Sequence, residues 1–184
     1  DDAVLALGKI GDKSILPVLA GLQRTAPRES QPGIAAAICL LGVNCSSHKS
    51  YIVESMRFAI ANLGFQTLLR SSSAALAVLA VAGHEDAAAE LVTQGAPTRD
   101  PVRAPIALAL GTVALRNTPV ILKLLEKETL REPAIELLRE AFDMLEEDFD
   151  EERFFAAVRR AYWAAPAGSP ARTVADTLVR KLEF

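Results

Sequence analysis

Leu7-Gly8-Lys9-Ile10-Gly11-Asp12 closes one apolar helical run and opens a short polar turn, and a second apolar run, Ile15-Leu16-Pro17-Val18-Leu19, follows after it. The same step returns as Leu41-Gly42-Val43-Asn44, Leu79-Ala80-Val81-Ala82-Gly83-His84 and Leu110-Gly111-Thr112-Val113. From leucine to leucine the spacings are 34, 38 and 31 residues. Pro32, Pro101, Pro133 and Pro170 give a second marker, each nine residues ahead of an apolar residue: Leu41, Leu110, Phe142 and Val179. These extend the series by 32 and 37 residues. Self-similarity at a near-fixed period is the mark of stacked supersecondary units, none of which can bury its apolar face alone.

Each period holds two helices. The first helices are expected near residues 1–11, 30–44, 67–83, 100–116, 132–147 and 170–184, and the second near 14–25, 48–63, 85–94, 119–129 and 151–164. Proline suits a first helical turn, whose N–H groups have no partner, and glycine suits a left-handed C-terminal cap. Ser47, Asp86, Asn117, Asp150 and Ser169 are candidate N-caps. Ile15, Leu16, Leu19 and Leu22 follow helical spacing, and no stretch alternates long enough to predict a strand. The first helices are apolar all round: Ala35 to Leu41, and Ala74 to Ala82, carry no polar face. Such helices must be covered on several sides.

The composition agrees. Apolar residues make up 51% of the 184 residues and aromatics 5%, so the core is aliphatic and alanine-rich, which allows close helix approach. A hydrophobic chain of net charge -3 is not intrinsically disordered and has no general attraction to nucleic acid or anionic membrane. No apolar run reaches the length of a membrane span. The chain starts at Asp1, already in a helical pattern, so a piece of a longer protein is expected; localisation stays open, with the cytoplasm favoured. Cys39 and Cys45 make no disulfide framework, and buried reduced thiols are expected.

Ala3 to Asp12 followed by Ser14 to Leu19, together with Asp100-Pro101-Val102-Arg103 through Ala109-Leu110-Gly111, resembles HEAT repeats, especially the short bacterial kind found in phycobilisome-lyase-like proteins. Pro170 and Arg172 echo it. The third repeat lacks the proline, and the fifth has Phe142-Asp143 where Leu-Gly is usual. A tetratricopeptide array has a similar period, but its signature is absent; Trp163 is the chain's one tryptophan. The resemblance implies an all-α fold, an α/α superhelix of about five helix pairs without strands. Its repeats would span roughly 1–29, 30–66, 67–99, 100–131 and 132–169, with a final helix at 170–184, as a single array 1–184. It also implies that first helices line a convex side and second helices a concave, partner-facing side.

Chemical constellations are weak. Cys39, Cys45 and His48 have no tetrahedral set, since Cys39 lies inside a helix and His84 is the other histidine, so no metal is expected. Ser71-Ser72-Ser73 has no oriented base, no glycine loop cradles a phosphate, and no cofactor or catalytic residue is expected. Glu146 to Glu152 holds six acids in seven residues. They suit the positive end of the helix they open, with an acidic partner-binding rim or calcium as alternatives.

The next helix is the strongest candidate surface. Five of the ten aromatics fall in 149–163, and Arg153, Phe155, Arg159, Arg160, Tyr162 and Trp163 are residue types enriched at binding hot spots. Phe155, Arg159 and Tyr162 form one stripe, and Phe154, Val158 and Ala161 the next; one of the two must be core. Arg24, Arg57, Lys123 and Lys127 on other second helices complete the candidate partner-binding set. The late basic residues Arg153, Arg159, Arg160, Arg172, Arg180 and Lys181 follow an acidic run that offsets them, against a nucleic-acid groove. The expected function is a noncatalytic scaffold that binds a protein or peptide on its second helices. An enzyme-associated subunit of the lyase-like class, by resemblance alone, and a structural spacer are the alternatives; oligomeric state is not legible.

Overall fold

The computed structural model describes residues 2–145 and 151–183. Among them the chain is helical without strands: α1 (Asp2–Ile10), α2 (Leu16–Thr25), α3 (Gln31–Leu40), α4 (Cys45–Ala61), α5 (Gln66–Val81), α6 (Glu85–Gly95), α7 (Arg103–Arg116), α8 (Thr118–Leu124), α9 (Glu128–Leu145), α10 (Glu151–Ala164) and α11 (Pro170–Leu182). Short 3-10 turns precede α2 and α3. No single helix among the described residues is long and apolar enough to cross a membrane.

The odd-numbered helices pack in chain order, α1 on α3, α3 on α5, α5 on α7 and α7 on α9. The even-numbered α4, α6 and α8 lie beside their own partners and touch one another in sequence. The last two helices depart from this alternation. α10 packs on α11, α7 and α8, and α11 on α8 and α9. A continuous aliphatic core runs from α3 to α11, with a smaller cluster of Leu19, Ile34, Ala37, Ile38 and Leu41 around α2 and α3.

The glycines of the repeated step do two different jobs. Gly11, Gly42 and Gly83 have φ of +79°, +80° and +108° and end α1, α3 and α5 as left-handed caps. Behind Gly83, its N–H donates to the Ala80 carbonyl and that of His84 to the Leu79 carbonyl. Gly8 and Gly111 instead lie inside α1 and α7, so Leu110-Gly111 marks a helix interior and not its end. A Cβ on Gly8 would stand 2.7 Å from Ala37 Cα, and one on Gly111 would stand 2.7 Å from Ala141 Cβ. There the missing side chain sets how closely the odd helices approach.

Several expected boundaries shift. α4 begins at Cys45 behind Asn44, held at φ +44°, and not at Ser47 or His48. α6 is preceded by His84, and Asp86 lies in its first turn. α8 stops at Leu124, which leaves Lys127 in the turn before α9. Pro133 sits inside α9, so it opens no helix. Ser71 to Ser73 are mid-helix in α5, where Ser72 Oγ donates to the Leu68 carbonyl at 2.7 Å. Asn117 and Ser169 do precede α8 and α11, and Ser169 Oγ accepts from the Arg172 N–H. Asp150 lies outside the described residues.

The close contact at Gly111 yields a test. Gly111→Ala should destabilise the fold by roughly 1–3 kcal/mol through overpacking, although alanine is the better helix former. Gly21→Ala in α2, where a Cβ meets nothing within 4 Å, should be neutral or stabilising. Thermal melts by circular dichroism compare the two; equal melting would refute the close-approach role.

Candidate functional site

A cleft of about 570 Å³ lies on the odd-helix side, between α1, α5 and α7. Its floor is aliphatic: Leu5, Ala77, Val78, Val81, Leu108 and Ala109. α3 contributes no lining residue, because it is buried from Pro32 to Cys39 beneath its neighbours. Lys9, Arg70 and Arg116 stand at the rim, exposed, with Asp2 as the one acid among the described lining residues. None of these three cations is ion-paired among the described residues.

The even-helix surface is different in kind. Lys123 Nζ on α8 reaches Glu85 on α6 at 2.9 Å, and Lys49 on α4 reaches Asp86 on α6 at 2.6 Å. Arg57 is paired with Glu54 of its own helix at 2.7 Å. The Glu85 hydrogen bond and charge hold the Lys123 ammonium above its ordinary pKa. Burial pushes the Asp86 carboxyl up, but the Lys49 hydrogen bond and charge outweigh it, and the carboxyl stays below its ordinary value. A depressed folded pKa contributes stability above the unfolded carboxylate range and loses it as pH falls through the folded value. A smaller polar groove of about 320 Å³ runs here between α4 and α6, past Lys49, Arg57, Asp86 and Glu90.

The predicted aromatic-arginine helix, α10, divides. Phe154 is 1% exposed and Val158 is fully buried, so theirs is the core stripe. Phe155 is half-buried in a ring cluster with Phe142 and Phe154 at centroid distances of 6.4 and 5.8 Å. Tyr162 is also half-buried, whereas Trp163 is 75% exposed. Arg172 of α11 lies over both rings, at 4.1 Å from Tyr162 and 5.6 Å from Trp163, a cation–π arrangement. Arg153, Arg159 and Arg160 are exposed, and Arg159 faces Glu152 at 3.6 Å. Arg24 and Lys127 are exposed on α2 and in the α8–α9 turn. The structure therefore gathers Tyr162 and Trp163 with Arg172, which was not in the predicted set, and leaves Arg57, Lys123 and Lys127 on separate elements. The acidic run, apart from Glu152, lies outside the residues whose side chains are described.

The cysteines correct the expectation of reduced thiols. Cys39 and Cys45 are disulfide-bonded, with Cα atoms 4.1 Å apart. The reason is the tight reversal between α3 and α4, where Gly42 and Asn44 both adopt left-handed backbone. The signal was available: two cysteines flank the Leu-Leu-Gly-Val-Asn turn. His84, placed by the following turn, approaches both sulfurs, and all three potential ligand atoms lie within 4.8 Å of one another. His48, the histidine nearest the two cysteines in sequence, is not part of this cluster, and burial lowers its pKa.

The chain matches no family model, no curated protein and no solved structure.

The aromatic division is measurable. Phe154→Ala should cost about 3–5 kcal/mol, as for a fully buried ring, whereas Trp163→Ala should stay within about 0.5 kcal/mol of the parent. Urea denaturation of both variants checks this; a large loss for Trp163→Ala would place that ring in the core.

Proposed function

We propose that the chain is a HEAT-like α/α superhelix acting as a noncatalytic binding module, and that it holds an acidic amphipathic helix of a protein partner in the α1–α5–α7 cleft. The observation that carries this reading is the pairing of an aliphatic floor with three cations that form no ion pair among the described residues. An amphipathic helix lays apolar residues at i, i+3 or i+4 and i+7 into such a groove. Carboxylates flanking that stripe meet Lys9, Arg70 and Arg116. Charge complementarity of this kind sets orientation and speeds association more than it adds affinity.

The superhelix part of the reading is supported by the side-by-side succession of odd helices and the contacts between successive even helices. The even-helix face is the surface that the HEAT resemblance favours. Against it stands the internal pairing of Arg57 and Lys123, whose acids a partner would first have to displace. A second reading places a partner on α10 and α11, and one observation favours it: a tryptophan 75% exposed beside an arginine-stacked tyrosine.

A fluorescent peptide with a leucine stripe and glutamate flanks tests the first reading. It should bind in a salt-sensitive manner, and Arg70→Glu with Val78→Asp should weaken it by about tenfold or more. Arg159→Ala with Tyr162→Ala should leave that binding unchanged. Absence of binding, or binding insensitive to the cleft variant, overturns the cleft reading; loss in the Arg159/Tyr162 variant alone moves the site to α10.

A further inference from the structure

Cys39, Cys45 and His84 come from two successive helix-to-helix turns. Cys39 lies in the last turn of α3, Cys45 opens α4, and His84 immediately precedes α6. Cys39 is 3% exposed, and the other two are half-buried. Two sulfurs and an imidazole gathered within 4.8 Å permit two states that exclude each other. While the sulfurs are bonded to one another, neither is a thiolate. Once reduced, two thiolates and a neutral imidazole form a nitrogen–sulfur donor set of the kind that zinc prefers.

We propose that these residues form a thiol-gated site for Zn²⁺, closed by the Cys39–Cys45 disulfide and opened by its reduction. A dithiol is the reductant. It gives two electrons and two protons, the Cys39–Cys45 bond breaks, both residues become thiols, and the dithiol closes to its own disulfide. Zn²⁺ then forms two bonds to sulfur and one to an imidazole nitrogen, both thiol protons pass to solvent, and water takes the fourth position. Zinc–sulfur bonds near 2.3 Å and zinc–nitrogen bonds near 2.1 Å in a tetrahedron set ligand atoms about 3.5–3.8 Å apart. The three atoms already lie within 4.8 Å of one another, and breaking the sulfur–sulfur bond frees the two sulfurs to part toward that separation.

Two neighbours shape the site. Cys45 is the first residue of a 17-residue helix, where the positive helix end favours the thiolate. Lys49 Nζ lies 3.4 Å from His84 Nδ1, and its shorter contact, at 2.6 Å, is to Asp86. Asp86 thus retains the ammonium when the imidazole turns to the metal. The bound ion would tie the α3–α4 turn to the start of α6, one helix pair to the next.

The test uses the whole 184-residue chain, reduced anaerobically, freed of reductant and titrated with Co²⁺ in place of Zn²⁺. The expected result is thiolate-to-cobalt charge transfer and tetrahedral visible bands saturating at one equivalent, bleached by Zn²⁺, and absent after oxidation to the disulfide. His84→Ala should weaken binding by about tenfold or more with helicity intact, His48→Ala should not change it, and Cys39→Ser with Cys45→Ser should abolish it. Reduced chain that titrates as two thiols but gives no such bands overturns the proposal. So does reduced chain that loses its helicity, or a His84→Ala variant indistinguishable from the parent.

Discussion

Backbone-to-methyl contact along the odd-numbered helices is the constraint on which the rest of the structure depends. Gly8 against Ala37 and Gly111 against Ala141 leave no room for one more carbon. At that separation α3 has almost no free surface, and it carries no polar side chain between Pro32 and Ile38. The polar residues gather in the turns, on the even helices and on the amphipathic α9 and α11. The turns between α3 and α4 and between α5 and α6 are thereby drawn together, and so are Cys39, Cys45 and His84. The same contact produces the cleft, since α3 is covered while α1, α5 and α7 remain partly open.

The two long faces differ because of where acids were placed, not where bases were. Lysine and arginine occur on both. On the even side, Glu54, Glu85 and Asp86 pair with Arg57, Lys123 and Lys49. On the odd side, Lys9, Arg70 and Arg116 project beside aliphatic side chains and pair with no acid among the described residues. Arg103 shows what a satisfied guanidinium looks like in this chain. It is clamped between both Glu140 oxygens at 2.8 Å and the carbonyls that end α6, and its work is structural.

The all-helical fold and the burial of α3, α5 and α7 were legible in the sequence, because their alanine-rich runs leave few other solutions; α1, expected to be buried alike, exposes Leu7 and Ile10. Which glycine caps and which packs was not. Gly8 and Gly42 follow the same leucine, yet one touches a neighbouring helix and the other reverses the chain, and only the third dimension separates those tasks. The sequence places the start of α4 too late because Cys45-Ser46-Ser47 resembles a turn; the left-handed Asn44 lets the helix begin early. The stripes of α10 were visible as alternatives, and the burial of Phe154 and Val158 chooses between them. Arg172 lay outside the candidate set because its partners are on the preceding helix. The cleft had no linear signature at all: its lining is drawn from residues more than a hundred positions apart.

The ion pairs between successive even helices, Lys49–Asp86 and Glu85–Lys123, are separated by 37 and 38 residues, close to one period. Exposed pairs of this kind contribute little and are screened by salt. Dispersion contacts between methyl groups are not screened, and they fall away steeply with distance. Raising the salt concentration therefore loosens the links between successive even helices and leaves the contacts between the odd helices untouched.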